Sequence, residues 1–169
     1  MFEFLVLLIF PGAMVLAAIS DLITMTISNW ISIALVVGFA VLAIWSGLGI
    51  NEIGLHVLVG FIALVAGFTC FAFNWIGGGD AKLFAATALW LGWADVAAYT
   101  LYASVFGGIL TIALLAQKNV PLPAGLIRHG WIARLHALED GIPYGFALAA
   151  AGLVIYPKSI WMTSVLGGL

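Results

Sequence analysis

Charge is nearly missing from this chain. Five Lys and Arg and seven Asp and Glu make up 7% of its 169 residues, where a soluble domain carries roughly a quarter. Hydrophobic residues reach 65%. No fold of this size in water could hide that much apolar surface, so the solvent is lipid. With a formal net charge of −2, there is no basic face for nucleic acid and no block of like charge that would read as a disordered tail. Cysteine is equally scarce. Cys70 stands alone in an apolar stretch, which excludes an internal disulfide, a thiol-redox pair and a cysteine zinc site; it reads as a small core or lipid-facing residue. A positive leading segment is also lacking at the N-terminus, where Glu3 precedes an apolar run longer than a signal peptide's. That run is expected to be a retained first membrane span.

What is present is a series of apolar stretches. A helix needs about 20 apolar residues to cross the hydrocarbon core, and candidate spans fall at 4–20, 30–47, 54–73, 80–92, 96–116 and 144–166. The expected fold is therefore all-α: a polytopic integral membrane protein of about six transmembrane helices, forming one membrane-embedded domain over 1–169. The fourth span is short. The last contains Pro157 and Lys158, so a break or early end is expected there. Segment 117–141 holds most of the charge. Within it Leu126, Ile127, Trp131, Leu135 and Leu138 recur at helical spacing, with Arg128, His129, Arg134, His136 and Glu139 between them, the pattern of a helix lying in the membrane interface. Lys82, Lys118, Arg128 and Arg134 fall on one side of a six-span layout. The positive-inside rule then places Asp21, Asp80 and the 117–141 loop toward the cytoplasm and both termini outside, with Lys158 dissenting. Trp30, Trp45, Trp75, Trp93, Tyr144 and Trp161 lie near span ends and read as an aromatic belt. His56 stands alone within a span and reads as a packed histidine.

An ionisable side chain at membrane depth costs a few kcal/mol, so each is a functional candidate by default. Glu3, Glu52, Asp95, Glu139 and Asp140 fall at span ends or in loops. Asp21 and Asp80 each abut an apolar span and share a side. Two carboxylates brought close cannot both ionise and share one proton. The ionised member can activate a water while the protonated one polarises a carbonyl, with no metal or organic cofactor required. Gly77, Gly78 and Gly79 directly precede Asp80. Glycine tolerates positive φ and close backbone approach, although glycines in membrane helices also serve plain packing. On the residues alone, catalysis or ion binding stands beside a simple turn.

The run Gly77-Gly78-Gly79-Asp80-Ala81-Lys82-Leu83-Phe84-Ala85-Ala86, followed by Trp90-Leu91-Gly92, resembles the Gly-x-Gly-Asp signature of prepilin peptidases. Asp21-Leu22, with Ile27-Ser28-Asn29 ending eight residues after the aspartate, resembles the family's other half. Ile142-Pro143-Tyr144-Gly145 resembles its entry into the last span. The resemblance implies a membrane aspartic endopeptidase that cuts the leader from prepilins and pseudopilins at the cytoplasmic face of a prokaryotic inner membrane. It makes Asp21 and Asp80 the catalytic pair, gives Gly77 and Gly79 the shaping of the turn before Asp80, and leaves Lys82 a supporting or anchoring role. Asn29 is expected to cap the second helix or tie down the Asp21 loop. Its partners would be those substrates and the lipid bilayer.

The chain departs from the pattern in two places. Ser28 stands where proline is usual, and Ile23, Thr24, Met25 and Thr26 replace basic residues. The four-cysteine insertion of larger members is missing too, which resembles the compact branch serving tight-adherence (Flp-type) pili. N-methylation of the new N-terminus, a second activity of larger members, is not implied. Two alternatives rest on the same aspartates. One is a small ion-coupled transporter, which predicts internal repeats that the sequence does not display. The other is a presenilin-like intramembrane protease, which pairs Gly-x-Gly-Asp with Tyr-Asp, whereas Asp21 follows Ser20.

Overall fold

The structure is a computed structural model that describes residues 1–118, 120, 123, 125, 130–138 and 141–166. Arg128, His129, Glu139 and Asp140, with Leu126 and Ile127 of the expected interfacial helix, lie outside the described residues. The described elements are helical: α1 (Phe2–Thr24), α2 (Asn29–Trp45), α3 (Ile50–Ala72), α4 (Gly78–Gln117), α5 (Gly130–Ala137), α6 (Tyr144–Ile155), a 3₁₀ turn (Tyr156–Lys158) and α7 (Ile160–Leu166). Among the described residues, four stretches are long and apolar enough to cross a membrane: Phe2–Thr24, Ile50–Ala72, Gly78–Gln117 and Tyr144–Ser164. Asn29–Trp45 is a shorter apolar helix. The expected break near Pro157 is the 3₁₀ turn.

The 40-residue α4 is two arms rather than one straight helix. Gly92 interrupts it at φ 66°, ψ −168°. Phe84 and Tyr99, which a straight helix would hold about 22 Å apart, stack with ring centroids at 5.5 Å. The two arms, 78–91 and 93–117, therefore run back along each other, at the positions of the short fourth and full fifth spans expected from the sequence.

A break in lipid strands backbone carbonyls that no water can reach, and side chains from other helices cover them here. The His56 Nδ1–H donates to the carbonyl of Leu89 at 2.7 Å, and the Trp161 Nε1–H donates to that of Trp90 at 2.8 Å. Trp161 is buried at 1% exposure, so it belongs to the core and not to the aromatic belt. Tyr144 likewise packs on Gly107, whereas Trp30, Trp45, Trp75 and Trp93 are exposed as a belt requires. Phe10 stacks on Tyr156 at 4.2 Å and Trp90 tilts on Trp161 at 5.2 Å. This aromatic cluster joins α1, α4 and the chain's last helices.

α3 meets α4 through small residues. A Cβ on Gly60 would sit 3.0 Å from that of Leu89, and one on Gly67 would lie 3.2 Å from the Ala81 Cα. Such contacts replace the hydrophobic drive that lipid cannot supply between helices. At one end of the bundle α5 leans on α1, where the Arg134 guanidinium donates to the Ile23 carbonyl at 2.7 Å. Lys158, out of place by the charge rule, lies within electrostatic reach of Asp95 at the other end.

The Gly92 break yields a test. Gly92→Ala forces a Cβ into a left-handed backbone and to 2.6 Å from the His56 ring. A loss of about 2 kcal/mol or more is expected from backbone strain and overpacking together. Denaturant unfolding of the detergent-solubilised variant measures it; an unchanged midpoint would contradict the break as described.

Candidate active site

Asp21 lies in the last turn of α1, 5% exposed. The helix ends just beyond it because Met25 adopts the left-handed conformation (φ 52°), its N–H returning to the Asp21 carbonyl at 2.8 Å. Hydroxyls then hold the loop. Ser20 Oγ donates to the Thr26 carbonyl and Thr24 Oγ1 to the Ser20 carbonyl, each at 2.7 Å. The threonines that replace basic residues thus fix the path from Asp21 to α2.

Asp80 occupies the first turn of α4. Gly77 is the cap residue, and its N–H donates to Asp80 Oδ2 at 3.2 Å. The carboxylate so placed caps its own helix, where the macrodipole favours negative charge. The turn makes no use of the positive φ that glycine tolerates: Gly77 has φ −69° and ψ 149°, and among the described residues the positive-φ glycines are Gly47, Gly92 and Gly141. Space is the reason for glycine here. A Cβ on Gly77 would come within 2.9 Å of Asp80 Oδ2, and one on Gly79 within 3.1 Å of the Ile27 Cβ.

Asp21 is met from across the bundle by the start of α6. The Phe146 N–H donates to Asp21 Oδ2 at 3.2 Å. Each aspartate thus rests against a helix N-terminus, Asp80 that of its own helix and Asp21 that of α6. The two carboxylates are near enough to repel one another. Ile27 is wedged among them: it touches the position a Gly79 side chain would take, and its Cδ1 fills the place of a Gly145 Cβ, which would also sit 2.8 Å from Asp21 Oδ2. Each carboxylate keeps acceptor capacity for a water or, when protonated, a donor for a carbonyl.

A cavity of about 400 Å³ opens beside Asp80, lined also by Phe84, Thr100, Ser104, Gly107 and Tyr144. Cys70 is on its wall and half-buried. No trio of His, Cys, Asp or Glu gathers as a metal set among the described residues.

The other sequence candidates separate. Ser28, not Asn29, caps α2, its Oγ accepting from the Trp30 N–H at 3.4 Å. Asn29 instead accepts from Lys82 Nζ through Oδ1 at 2.8 Å, tying the start of α2 to the first arm of α4. Sequence reading gave Ile27, Gly145 and Phe146 no role. The Ile27-Ser28-Asn29 and Ile142-Pro143-Tyr144-Gly145 matches were the signals, and they marked positions without saying what those positions touch.

The fold and site together define a multi-pass helical membrane protein that gathers two carboxylates at one end of its bundle. Residues 8–112, well over half the chain, match the model of the type IV leader peptidase family; the chain belongs to that family. It is 34% identical over 111 residues to the prepilin leader peptidase/N-methyltransferase of Aeromonas salmonicida (strain A449), covering 54% of this chain and 38% of the relative. The protein of the same description from Aeromonas hydrophila is 33% identical over the same length and shares. The matched chain thus spans well under half of these curated relatives. No solved structure matches.

The wedge can be tested apart from any activity. Gly145→Ala should lower the thermal midpoint, because the new methyl overlaps Ile27 and crowds Asp21. Adding Ile27→Val removes the overlapping Cδ1 and should restore much of the loss. If the double variant is no better than the single one, Ile27 is not the obstructing contact.

Proposed function

We propose that this chain is an aspartic endopeptidase that removes the N-terminal leader from prepilins and pseudopilins. The observation that carries the reading is the meeting of Asp21 and Asp80 at one end of the bundle, each steadied by a backbone amide. Family membership and the description of the relatives support the substrate class. Only the peptidase step is proposed; the methyl transfer in the relatives' description is not carried over.

In this mechanism the two carboxylates share one proton. The ionised member takes a proton from water as the water oxygen attacks the scissile carbonyl carbon. The protonated member donates to the carbonyl oxygen. Collapse of the tetrahedral intermediate returns that proton and hands another to the leaving amine, so water is consumed and the dyad is regenerated. Backbone amides suit this task because they position an acid without adding a counter-charge that would fix its protonation. The cavity beside Asp80 gives the substrate chain room next to the dyad.

The substrate's apolar helix arrives laterally through the bilayer, its charged leader on the dyad's side. That side faces the cytoplasm of a prokaryotic inner membrane, by the distribution of Lys82, Lys118 and Arg134. Tight-adherence (Flp-type) prepilins are the first substrates to try.

Co-expression with an Flp-type prepilin, read by the mobility of the pilin, tests the assignment. Asp21→Ala and Asp80→Ala should each cut at least a thousandfold more slowly, consistent with loss of a unit that acts as a whole, at unchanged levels in the membrane. Normal leader removal by either variant would remove the dyad from the mechanism. Gly145→Ala/Ile27→Val should also cut slowly, because the methyl still crowds Asp21 after the Ile27 overlap is relieved.

A further inference from the structure

A second cavity, of about 620 Å³, lies between α2 and α3 with the first arm of α4 as its floor. Its polar residues gather at one end: Asn29, Ser32 and Lys82. The body is apolar, with Ile33, Val37 and Phe61 among its walls, and these three are 47%, 55% and 61% exposed. It opens toward lipid.

This groove is not the path to the dyad. Lys82 follows Asp80 by two residues on one helix, a rotation of about 200°. The two side chains leave α4 on opposite faces, Asp80 into its own cavity and Lys82 into this one. Lys82 is also a cation without a counter-charge. Among the described residues it forms no ion pair, and its ammonium donates to the neutral amide oxygen of Asn29. That bond aims the ammonium at the mouth of an apolar trough. A ligand that satisfies both halves carries one anionic head and an apolar tail.

We propose that this groove is a binding site for an anionic phospholipid, its phosphate against Lys82, Asn29 and Ser32 and an acyl chain along Ile33, Val37 and Phe61. Basic pockets between membrane helices bind such headgroups, and one cation near the surface contributes about a fivefold preference for them. A peptide helix is disfavoured as occupant because the groove faces away from Asp80. Bound lipid would brace α2 against α3 on the flank of the helix that presents Asp80.

The test uses the full chain purified in neutral detergent and needs no substrate, so its outcome is independent of the peptidase reading. Phosphatidylglycerol and phosphatidylcholine of identical acyl chains are titrated while the thermal midpoint is followed. The expected result is half-maximal stabilisation at about fivefold lower phosphatidylglycerol concentration. Lys82→Gln should abolish that difference and Lys82→Arg should keep it, whatever either does to the lipid-free midpoint. Equal response to both lipids in the wild type, or a preference that survives Lys82→Gln, overturns the proposal. A photocrosslinking residue at Val37 in native membranes supplies the second reading. A phospholipid adduct supports the site; a predominant prepilin adduct or a self-crosslinked dimer assigns the groove to those occupants instead.

Discussion

In a chain with so few polar side chains, the backbone itself must be the partner for nearly everything polar, and the structure is organised by that constraint. Lipid offers no hydrogen bonds, so a buried polar group is either paired within the protein or costs several kcal/mol. The carboxylates of Asp80 and Asp21 are met by the amides of Gly77 and Phe146. The carbonyls of Leu89 and Trp90, beside the break, are met by His56 and Trp161. The carbonyl of Leu35 takes the Trp90 indole, and that of Val6 the Tyr156 hydroxyl. Apart from the Gly77 cap, which lies within α4, each of these bonds joins one helical segment to another. These directional bonds fix where the helices sit.

The break at Gly92 shows how far the consequence reaches. Without it, α4 would be one helix of about 60 Å, twice the thickness of a bilayer core. Folding it back at Gly92 sets Phe84 on Tyr99 and brings Thr100, Ser104 and Gly107 opposite Asp80 around one cavity. The aromatic cluster at Trp90 lies about 15 Å along the helix from Asp80. Aromatic packing is thus concentrated at one end, and the carboxylates lie at the other, where α5 and the α1–α2 loop meet.

Much of this was legible in the sequence, for a physical reason. Lipid penalises charge so heavily that two aspartates against apolar spans stand out without any structure, and 20-residue apolar runs announce helices. Partners distant in sequence were not legible. Nothing in Gly145 says that its missing Cβ leaves room for Asp21, because 124 positions separate them and only packing brings them together. His56 reads as a packed histidine, and it is one; its role as a cap depends on a break 36 residues away. Trp161 has the composition of a belt residue but the position of a core one. At Gly77 and Gly79 the residue type was informative, and of the two reasons it offered, positive φ and close approach, the second applies: φ is ordinary, and Asp80 and Ile27 leave no room for a side chain.

The opening of α4 condenses these constraints into six residues. Gly77 must lack a side chain so that Asp80 can fold back and cap the helix; Gly79 must lack one so that Ile27 can lie against the backbone. Ile27 in turn closes on Gly145 beside Asp21, so one apolar side chain relates the elements that hold the two carboxylates. Lys82, two residues on, leaves by the opposite face and bonds Asn29 at the start of α2. A cation on the same face as Asp80 would pair with it and hold it ionised. The 200° between them keeps the charge that orders α2 off the face of the helix that carries Asp80.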